Sequence, residues 1–572
     1  MKKARLLLLL ILGSLLCQAQ SSLTPSLSEA MSKSEDNEPI EVIVQMKAHY
    51  NRSQLCRQAD FIPTKAERRA FVVNELKRFS EASQYDLRGI LSEMEKQGMV
   101  TGVCSLWSAN AMYFKATKEA ILYLSERTDI ECISLNKQYQ WIPDAGMAAE
   151  ASDLREIVPN IIQVNADQVW AMGNTGQDVV VAVIDSGVNY NHMDLADHLW
   201  DGGKEFPHHG YDIVNDDDDP MDDLGHGTHC AGTVCGDGTA GLSTGIAPDA
   251  KLMCIKSIDS NGYGGATNIA GGLEWAVEHG CDAISMSLGM ANAEAADKEL
   301  LRLTCQAILD AGIIAVVCTG NEGHLQYLCP IPNNVRVPAS CPPPYLDPDQ
   351  MENPGGLSCV LAVGAVESND TAAYFTSQGP VTWQDTKFGD YAYDPGIGLI
   401  RPDVCAPGVN IWSLTYNHNN SYDVMTGTSQ ATPCVAGIVA LMLHKNPDLT
   451  PAQICQILEE TSVKLTPNKS NITGLGRVDA LAAVNAVPEW DDAVFEQHQN
   501  QALVFPNPSQ DAFTVRCEGM TQIEIYSVDG KMVRHVNTNG SECVLNGLPE
   551  GVFLMKISTR DGFVFKRIIK LS

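Results

Sequence analysis

DVVVAVIDSG, residues 178–187, is a nearly unbroken run of Val, Ile and Ala that ends on the acidic residue Asp185. Four later segments repeat the apolar run and alternate with helical patterns: AKLMCIKSI, CDAISMSLG, GIIAVVCTGN and CVLAVGAV. Such runs are typical of parallel strands, because helices cover both faces of a parallel sheet. The sequence therefore predicts an α/β domain over residues 151–488, with a parallel sheet between two layers of helices.

Different patterns flank this domain. The strand pattern IEVIVQM at residues 40–46 and the helical periodicity at 66–97 predict a small α+β unit over residues 21–150. That unit ends in a polar, Ala-rich linker at 143–153. Residues 489–572 contain short alternating strands divided by Asp-Gly and Asn-Gly turns, which predict a linker followed by a small β-sandwich.

The first 20 residues, MKKARLLLLLILGSLLCQAQ, have the basic start and short apolar run of a secretory signal. A lipid on Cys17 is disfavoured, because the bulky Leu16 precedes it. No later segment has about 18 consecutive apolar residues, so we expect no transmembrane segment. The net charge of −31 disfavours nucleic acid as a partner, because phosphate backbones select clusters of Lys and Arg.

The cysteines do not form a zinc-ribbon CxxC pattern, and many lie in apolar runs that predict buried thiols. Export makes disulfides possible. Cys329 with Cys341 and Cys517 with Cys543 are the candidate pairs, although the sequence does not fix the connectivity.

Three polar residues stand where predicted elements meet. Asp185 ends the first apolar run, Asn321 follows GIIAVVCTG, and Ser429 in MTGTSQATP begins a helical pattern. In open parallel sheets, reactive groups collect at the carboxyl ends of the strands. We therefore expect these three side chains to lie close together.

The segment GHGTHCAG, residues 225–232, supplies an imidazole for this group. A serine hydroxyl becomes a good nucleophile when an imidazole takes its proton and a carboxylate orients that imidazole. His226 is the predicted base, Asp185 its partner, and His229 a packed neighbour. The amide of Asn321 and the backbone N–H of Ser429 suit the negative charge that develops on an attacked carbonyl.

The same patterns have other interpretations. His226 and His229 could bind a metal with Cys230 or Cys235, but the Glu of the HExxH pattern is missing. Asp185 and Ser429 taken singly could be helix caps, and Asn321 a turn residue. GDGTAG at 236–241 fits GxGxxG but follows a helical pattern, so it predicts a loop. The run NDDDDPMDD at 215–223 predicts a solvated acidic loop or a Ca²⁺ site.

The motifs VIDSGV, GHGTHCAG, TGNEG and GTSQATP occur in the order Asp, His, Asn, Ser and resemble those of the subtilisin-like serine peptidases, or subtilases. The resemblance covers about residues 155–487. It implies a triad of Asp185, His226 and Ser429, with Asn321 in the oxyanion hole. The implied function is a secreted serine endopeptidase that hydrolyses proteins and peptides through an acyl-enzyme. No cofactor is required for this chemistry, and structural Ca²⁺ is frequent in the family.

Two further segments resemble substrate-binding edges of subtilases. Ser287, Leu288 and Gly289 resemble the strand that lines the primary specificity pocket. Gly262 and Gly264, in GYGG, resemble the edge that pairs with an extended substrate, a way of holding peptides that ignores side-chain identity. The chain departs from the family at Cys230, where Val is usual, and in a Pro-rich insertion at 326–355 of unknown role.

The ends of the chain carry further resemblances. EVIVQM and the region ending in ECISLN resemble the inhibitory propeptide of subtilases. FPNPSQDAFTV, YSVDGKMV and LNGLPEGVFLMKI resemble a type A sorting domain of the type IX secretion system. These imply the type IX machinery as a partner, with export through the periplasm and across the outer membrane to the medium or the cell surface. A surface-displayed binding protein on an inactive peptidase fold is the alternative function.

Overall fold

The structure is a computed structural model. It describes residues 23–142, 157–342, 360–383, 385–386, 398–489 and 503–570, except for short gaps at 36, 60–61, 63, 506–508, 510–511, 518, 528–530, 539 and 560–562. The predicted signal, the linker at 143–153 and the second part of the 326–355 insertion lie outside the described residues.

The N-terminal unit, residues 23–142, is an antiparallel sheet with helices. Its elements are α1 (Pro25–Lys33), β1 (Ile40–Met46), α2 (Arg52–Ala59), α3 (Lys65–Lys96), β2 (Val100–Leu106), β3 (Ala111–Ala116), α4 (Lys118–Ser125), β4 (Ile130–Leu135) and β5 (Gln138–Gln140). Four strands form a sheet in the order β2-β3-β1-β4. The predicted strand and helix are confirmed as β1 and α3.

The central unit, residues 157–489, contains the larger sheet. Its first elements are α5 (Pro159–Gln163), α6 (Ala166–Trp170), β6 (Val180–Asp185), β7 (Gly210–Asp212), α7 (His226–Cys235), β8 (Lys251–Lys256), β9 (Tyr263–Gly265), α8 (Ala266–Glu278), β10 (Ala283–Met286), α9 (Ala295–Asp310) and β11 (Ile314–Cys318). The later elements are β12 (Leu361–Val366), β13 (Val404–Pro407), β14 (Ile411–Leu414), β15 (Tyr422–Met425), α10 (Thr428–Lys445), α11 (Pro451–Thr461) and α12 (Ala480–Ala486).

Seven parallel strands form this sheet, in the order β13-β12-β11-β10-β6-β8-β7. Alternate residues of each strand enter two separate cores, so Val181 and Val183 pack with α7 and α10, whereas Ala182 and Ile184 pack with α8 and α9. The predicted fold is confirmed. After β6, the strands β7 and β8 lie on one side of β6 in the sheet, and the strands β10 to β13 lie on its other side. This change of direction opens a crevice at the carboxyl ends of β6 and β10.

The C-terminal unit, residues 503–570, consists of β-strands. They are β16 (Leu503–Phe505), β17 (Ala512–Arg516), β18 (Met520–Ser527), β19 (Met532–Asn537), β20 (Glu542–Asn546), β21 (Gly551–Thr559) and β22 (Phe563–Lys570). Two antiparallel sheets, β16-β17-β20 and β19-β18-β21-β22, share one apolar core. This agrees with the predicted small β-sandwich.

The candidate disulfides are not formed. Among the described residues, neither predicted pair is joined, and the buried Cys341 is close enough to Cys305 of α9 for that thiol to raise its pKa. Spacing within a loop suggested Cys329 as its partner, whereas the fold turns Cys341 inward onto a helix. No helix in the described part of the chain has the length and apolar character needed to cross a membrane.

Candidate active site

Asp185 and His226 form a buried pair at the crevice. Asp185 is the last residue of β6 and is fully buried, and its Oδ1 accepts a hydrogen bond from Nδ1 of His226 at 2.8 Å. The backbone N–H of Ser186 donates to the same oxygen at 2.8 Å. Because a carboxylate only accepts, the bond fixes the proton of the neutral imidazole on Nδ1 and leaves Nε2 able to accept one.

His226 is the first residue of α7, and two glycines make room for it. Gly225 precedes the helix with φ of 103°, a left-handed conformation that favours glycine. A Cβ at Gly227 would lie 2.1 Å from the carbonyl oxygen of Gly187 and 3.0 Å from Cβ of Asp185. The close approach of α7 to the end of β6 therefore requires glycine at 227, and it brings the imidazole onto the carboxylate.

Asp222 holds the start of α7 in place. Its Oδ1 accepts from the hydroxyl of Ser186 and from the N–H groups of Leu224 and Gly225, and its Oδ2 accepts from the N–H and the hydroxyl of Thr228. Burial raises its pKa, and these hydrogen bonds oppose the rise. The prediction that residues 215–223 form a solvated loop is therefore wrong for Asp222.

Protein donors also engage other carboxylates of this run. Tyr211 donates to Asp216, Tyr190 donates to Asp219, and Lys256 forms an ion pair of 2.5 Å with Asp223. These contacts give the acidic residues partners inside the protein, and the predicted Ca²⁺ site stays a prediction.

Ser429 lies in the first turn of α10, within reach of the same crevice. Its hydroxyl donates to the carbonyl oxygen of Ser287 at 3.1 Å, and the Ser287 hydroxyl donates to the carbonyl of Ser429 at 2.7 Å. The thiol of Cys230 links the two parts of the site, with Sγ 3.9 Å from Nδ1 of His226 and 3.6 Å from the carbonyl oxygen of Ser429. The structure thus brings the predicted serine, imidazole and carboxylate together at one edge of the sheet.

Asn321 follows β11 and faces the start of α10. Its Oδ1 accepts from the N–H and the hydroxyl of Thr428, both at 3.0 Å. These two bonds orient the amide so that its Nδ2, a donor, lies on the side of Gly427. The first N–H groups of a helix have no partner within the helix, so the N–H of Ser429 is a second donor beside it.

The electrostatics differ between the two histidines. Burial is the largest single influence on the pKa of His226 and lowers it, but the Asp185 carboxylate and the Cys230 side chain together raise it, so that the pKa lies well above the ordinary value of 6.5. Burial and the neighbouring His226 lower the pKa of His229 to about 3, and its Nε2 bonds to the carbonyl of Ile411. His229 is therefore a neutral, packed residue, as predicted.

Burial also raises the pKa of the Cys230 thiol, which keeps it protonated. Asp185, His226 and Cys230 lie close enough to bind a metal, as do Asp197, His198 and Asp237 among the described residues. In the first group, Oδ1 of Asp185 and Nδ1 of His226 already share a hydrogen bond.

Residues 138–142 of the N-terminal unit lie along the predicted substrate edges. β5 pairs antiparallel with β9, with Tyr139 opposite Gly264. The N–H of Trp141 donates to the carbonyl of Gly262 at 2.9 Å, and the N–H of Gly289 donates to the carbonyl of Trp141 at 3.0 Å. The segment 138–142 thus lies between the two predicted substrate-binding edges, GYGG at 262–265 and Ser287–Gly289.

The comparisons with known proteins agree with this geometry. Residues 176–476, just over half of the chain, match the model of the Subtilase family. This chain is a subtilase. Serine protease AprX of Bacillus subtilis (strain 168) is 31% identical over 469 residues, which cover 76% of this chain and 91% of that protein. Subtilisin DY of Bacillus licheniformis is 34% identical over 320 residues, or 56% of this chain and 96% of that protein.

This subtilase belongs to a family of serine-type endopeptidases, and its tail has a second match. Residues 503–571 match the Secretion system C-terminal sorting domain. That domain indicates export by the type IX machinery, with secretion or attachment to the cell surface. Both predicted resemblances are confirmed.

Two residues of the site were missed by sequence reasoning. Asp222 was treated as one member of an acidic run, although its position three residues before Gly225 fits a side chain that caps the start of α7. Arg336, in the insertion, reaches the segment at 140–141, and no motif pointed to it.

Proposed function

We propose that this subtilase is an exported endopeptidase that cleaves proteins through an acyl-enzyme on Ser429. His226 takes the hydroxyl proton and passes it to the leaving amine, while Asp185 orients the imidazole and stabilises its charged form. Asn321 and the N–H of Ser429 stabilise the oxyanion. The observation that carries the proposal is the buried 2.8 Å bond between Asp185 and His226, at the crevice that Ser429 in the first turn of α10 also reaches.

The Ser429 hydroxyl must turn before it can react. In the structure it donates to the carbonyl of Ser287, and attack requires it to donate to Nε2 of His226. A hydroxyl turns about one single bond, and catalytic hydrogen bonds often tighten only when substrate is bound.

Covalent labelling tests the proposal directly. A fluorophosphonate should attach to Ser429 in protein freed of its N-terminal unit, and peptide mapping would locate the adduct. Cys230→Ala, which keeps all the proposed reacting groups, is the matched control and should label as wild type does. Protein that is folded but unlabelled would favour the alternative of an inactive binding protein.

Removing the Asn321 amide should slow catalysis strongly. For Asn321→Ala we expect kcat to fall about 10²- to 10³-fold with little change in KM, as known for the matching donor in a subtilisin. The reason is that the oxyanion exists only after attack, so the lost bond weakens the transition state and not substrate binding. Steady-state kinetics on a peptide substrate measures this, with the exposed Asn420→Ala as control. A loss confined to KM would contradict the assignment.

As the pH is lowered, the activity should be lost at a higher pH than the ordinary histidine pKa of 6.5 predicts. The base must be neutral, and the raised pKa of His226 keeps it protonated above 6.5. An ordinary imidazole would place the acidic midpoint of kcat/KM at about pH 6 to 7, and the raised pKa of His226 leads us to expect it above pH 6.5. A pH series on a peptide ester measures it.

Two variants complete this pH profile. The Cys230 side chain also raises the pKa of His226, so Cys230→Ala should lower the midpoint, whereas the exposed Asn420→Ala should leave it unchanged. A midpoint at or below 6.5 in wild type would show that Asp185 does not raise the pKa of His226.

We also propose that residues 21–150, the N-terminal unit with its linker, act as an inhibitory propeptide. Segment 138–142 pairs with the edge strand β9, and the unit packs on α8 and α9 through bonds from Trp107 to Glu278 and from Arg52 to Asp310. A substrate cannot use the same edge while the segment is there. Fluorophosphonate labelling that appears only after the N-terminal unit has been removed would support this, and equal labelling of the uncut chain would contradict it.

The proposed chemistry needs no cofactor, because nucleophile, base and oxyanion donors all come from the chain. Structural Ca²⁺ is a separate proposal. Thermal unfolding with and without a chelator tests it.

A further inference from the structure

Arg336 of the insertion is buried beside the candidate active site. It is 8% exposed, and backbone bonds hold it on both sides: its N–H donates to the carbonyl of Thr319, and the next residue, Val337, pairs with Met290. Thr319 comes shortly before Asn321, and Met290 directly follows Gly289. The insertion thus places Arg336 between the segments that follow β10 and β11.

The aliphatic part of the Arg336 side chain fills the space between Gly289 and Gly320. A Cβ at Gly289 would lie 2.6 Å from Cβ of Arg336, and a Cβ at Gly320 would lie 2.9 Å from its Cγ. A substrate that runs along Ser287–Gly289 and gives its carbonyl to Asn321 must point the side chain of the attacked residue toward this gap. The space there is already occupied.

The guanidinium has two sets of partners. Nε and Nη2 donate to Oε1 of Glu322 at 3.0 and 2.6 Å, which compensates the positive charge. Nη1 donates to the carbonyl of Gly289 at 2.7 Å and to that of Trp141 at 3.2 Å. Arg336 therefore touches the backbone of the chain in the cleft and adds little net charge there.

We propose that Arg336 closes the side-chain pocket beside Ser429 and restricts this subtilase to substrates with a small, uncharged side chain on the attacked residue. The inference rests on the proposed function and adds its substrate class. The first stretch of chain beyond segment 138–142 is rich in such residues, with AGMAAEA at 145–151. A larger side chain must displace a buried, ion-paired arginine, and a charged one must also lose its hydration.

The test uses four peptides that differ only in the attacked residue: Ala, Leu, Phe or Glu. In wild type, kcat/KM per active site counted by fluorophosphonate should be at least tenfold higher for Ala than for the other three. One methylene group in a pocket changes specificity by about 10- to 200-fold, so this difference is readily measured. If wild type cleaves the Phe or Leu peptide with a kcat/KM equal to or above that for the Ala peptide, the proposal is overturned.

Variants of Arg336 and Glu322 test the effect of the arginine's volume separately from the effect of its charge. Arg336→Gly should raise the Phe-to-Ala ratio at least tenfold, because it empties the gap, whereas Arg336→Met should keep the preference for Ala. Glu322→Gln leaves the guanidinium uncompensated, so cleavage after Glu should rise at least fivefold relative to Ala. Tyr327→Ala, an exposed change in the same insertion, is the control and should alter neither ratio.

The experiments distinguish failure of the proposed endopeptidase function from failure of the role proposed for Arg336. Wild type that does not label with fluorophosphonate would refute the proposed function and this inference together. Wild type that labels but shows no change of ratio in Arg336→Gly would refute only the role of Arg336.

Discussion

Ser429→Ala should reduce kcat about a millionfold, the loss known for a subtilisin without its serine, and the chain should keep its N-terminal unit. The first effect follows because no other group at this position can form the acyl-enzyme. The second follows because segment 138–142 lies along the substrate edges of its own chain, so the first bond cut should be one just beyond it. Gel electrophoresis and N-terminal sequencing of the expressed protein would show the uncut precursor.

A control is needed to show that this precursor is folded. Adding mature wild-type enzyme to the Ser429→Ala precursor should release the N-terminal unit in trans. Normal processing of the variant expressed alone would assign the cut to another protease, and residual activity above about a thousandth of wild type would place the nucleophile elsewhere.

Sequence patterns predicted the sheet and the reacting groups because these depend on local signals. The Val- and Ile-rich run that ends at Asp185 is buried on both faces of a strand, so its composition alone indicates a parallel sheet. Gly225 and Gly227 also leave a sequence signal, because the tight turn and the close approach of α7 to β6 exclude other residues.

The remaining features depend on contacts between distant parts of the chain. Asp222 looks like any acidic loop residue until the fold brings five donors to it, two of them from Thr228 of α7. Arg336 lies in an insertion, and its role depends on two glycines, one of them 47 positions away along the chain. Asp185, the group that raises the pKa of His226 most, likewise lies 41 residues away, although Cys230 within GHGTHCAG also raises it.

Asp185→Asn should reduce kcat on the order of 10⁴-fold while leaving the protein folded, as in a subtilisin without this carboxylate. The fully buried Asp185 has one oxygen on Nδ1 of His226, and its Oδ2 has no hydrogen-bond partner among the described residues. An amide can present its NH₂ group to Nδ1, which then moves the imidazole proton to Nε2 and leaves no acceptor for Ser429. Kinetics with active sites counted by fluorophosphonate would measure the loss.

The residual activity of Asp185→Asn should also show a changed pH profile. Without the carboxylate, the largest raising influence on the imidazole is lost, and burial still lowers the pKa of His226. The acidic midpoint should therefore lie lower in the variant than in wild type. Asp222→Asn is the matched control, since that buried carboxylate secures α7 without touching His226, and it should lower the melting temperature with the midpoint unchanged. A midpoint that moves equally in both variants would mean that Asp185 acts only by positioning the helix.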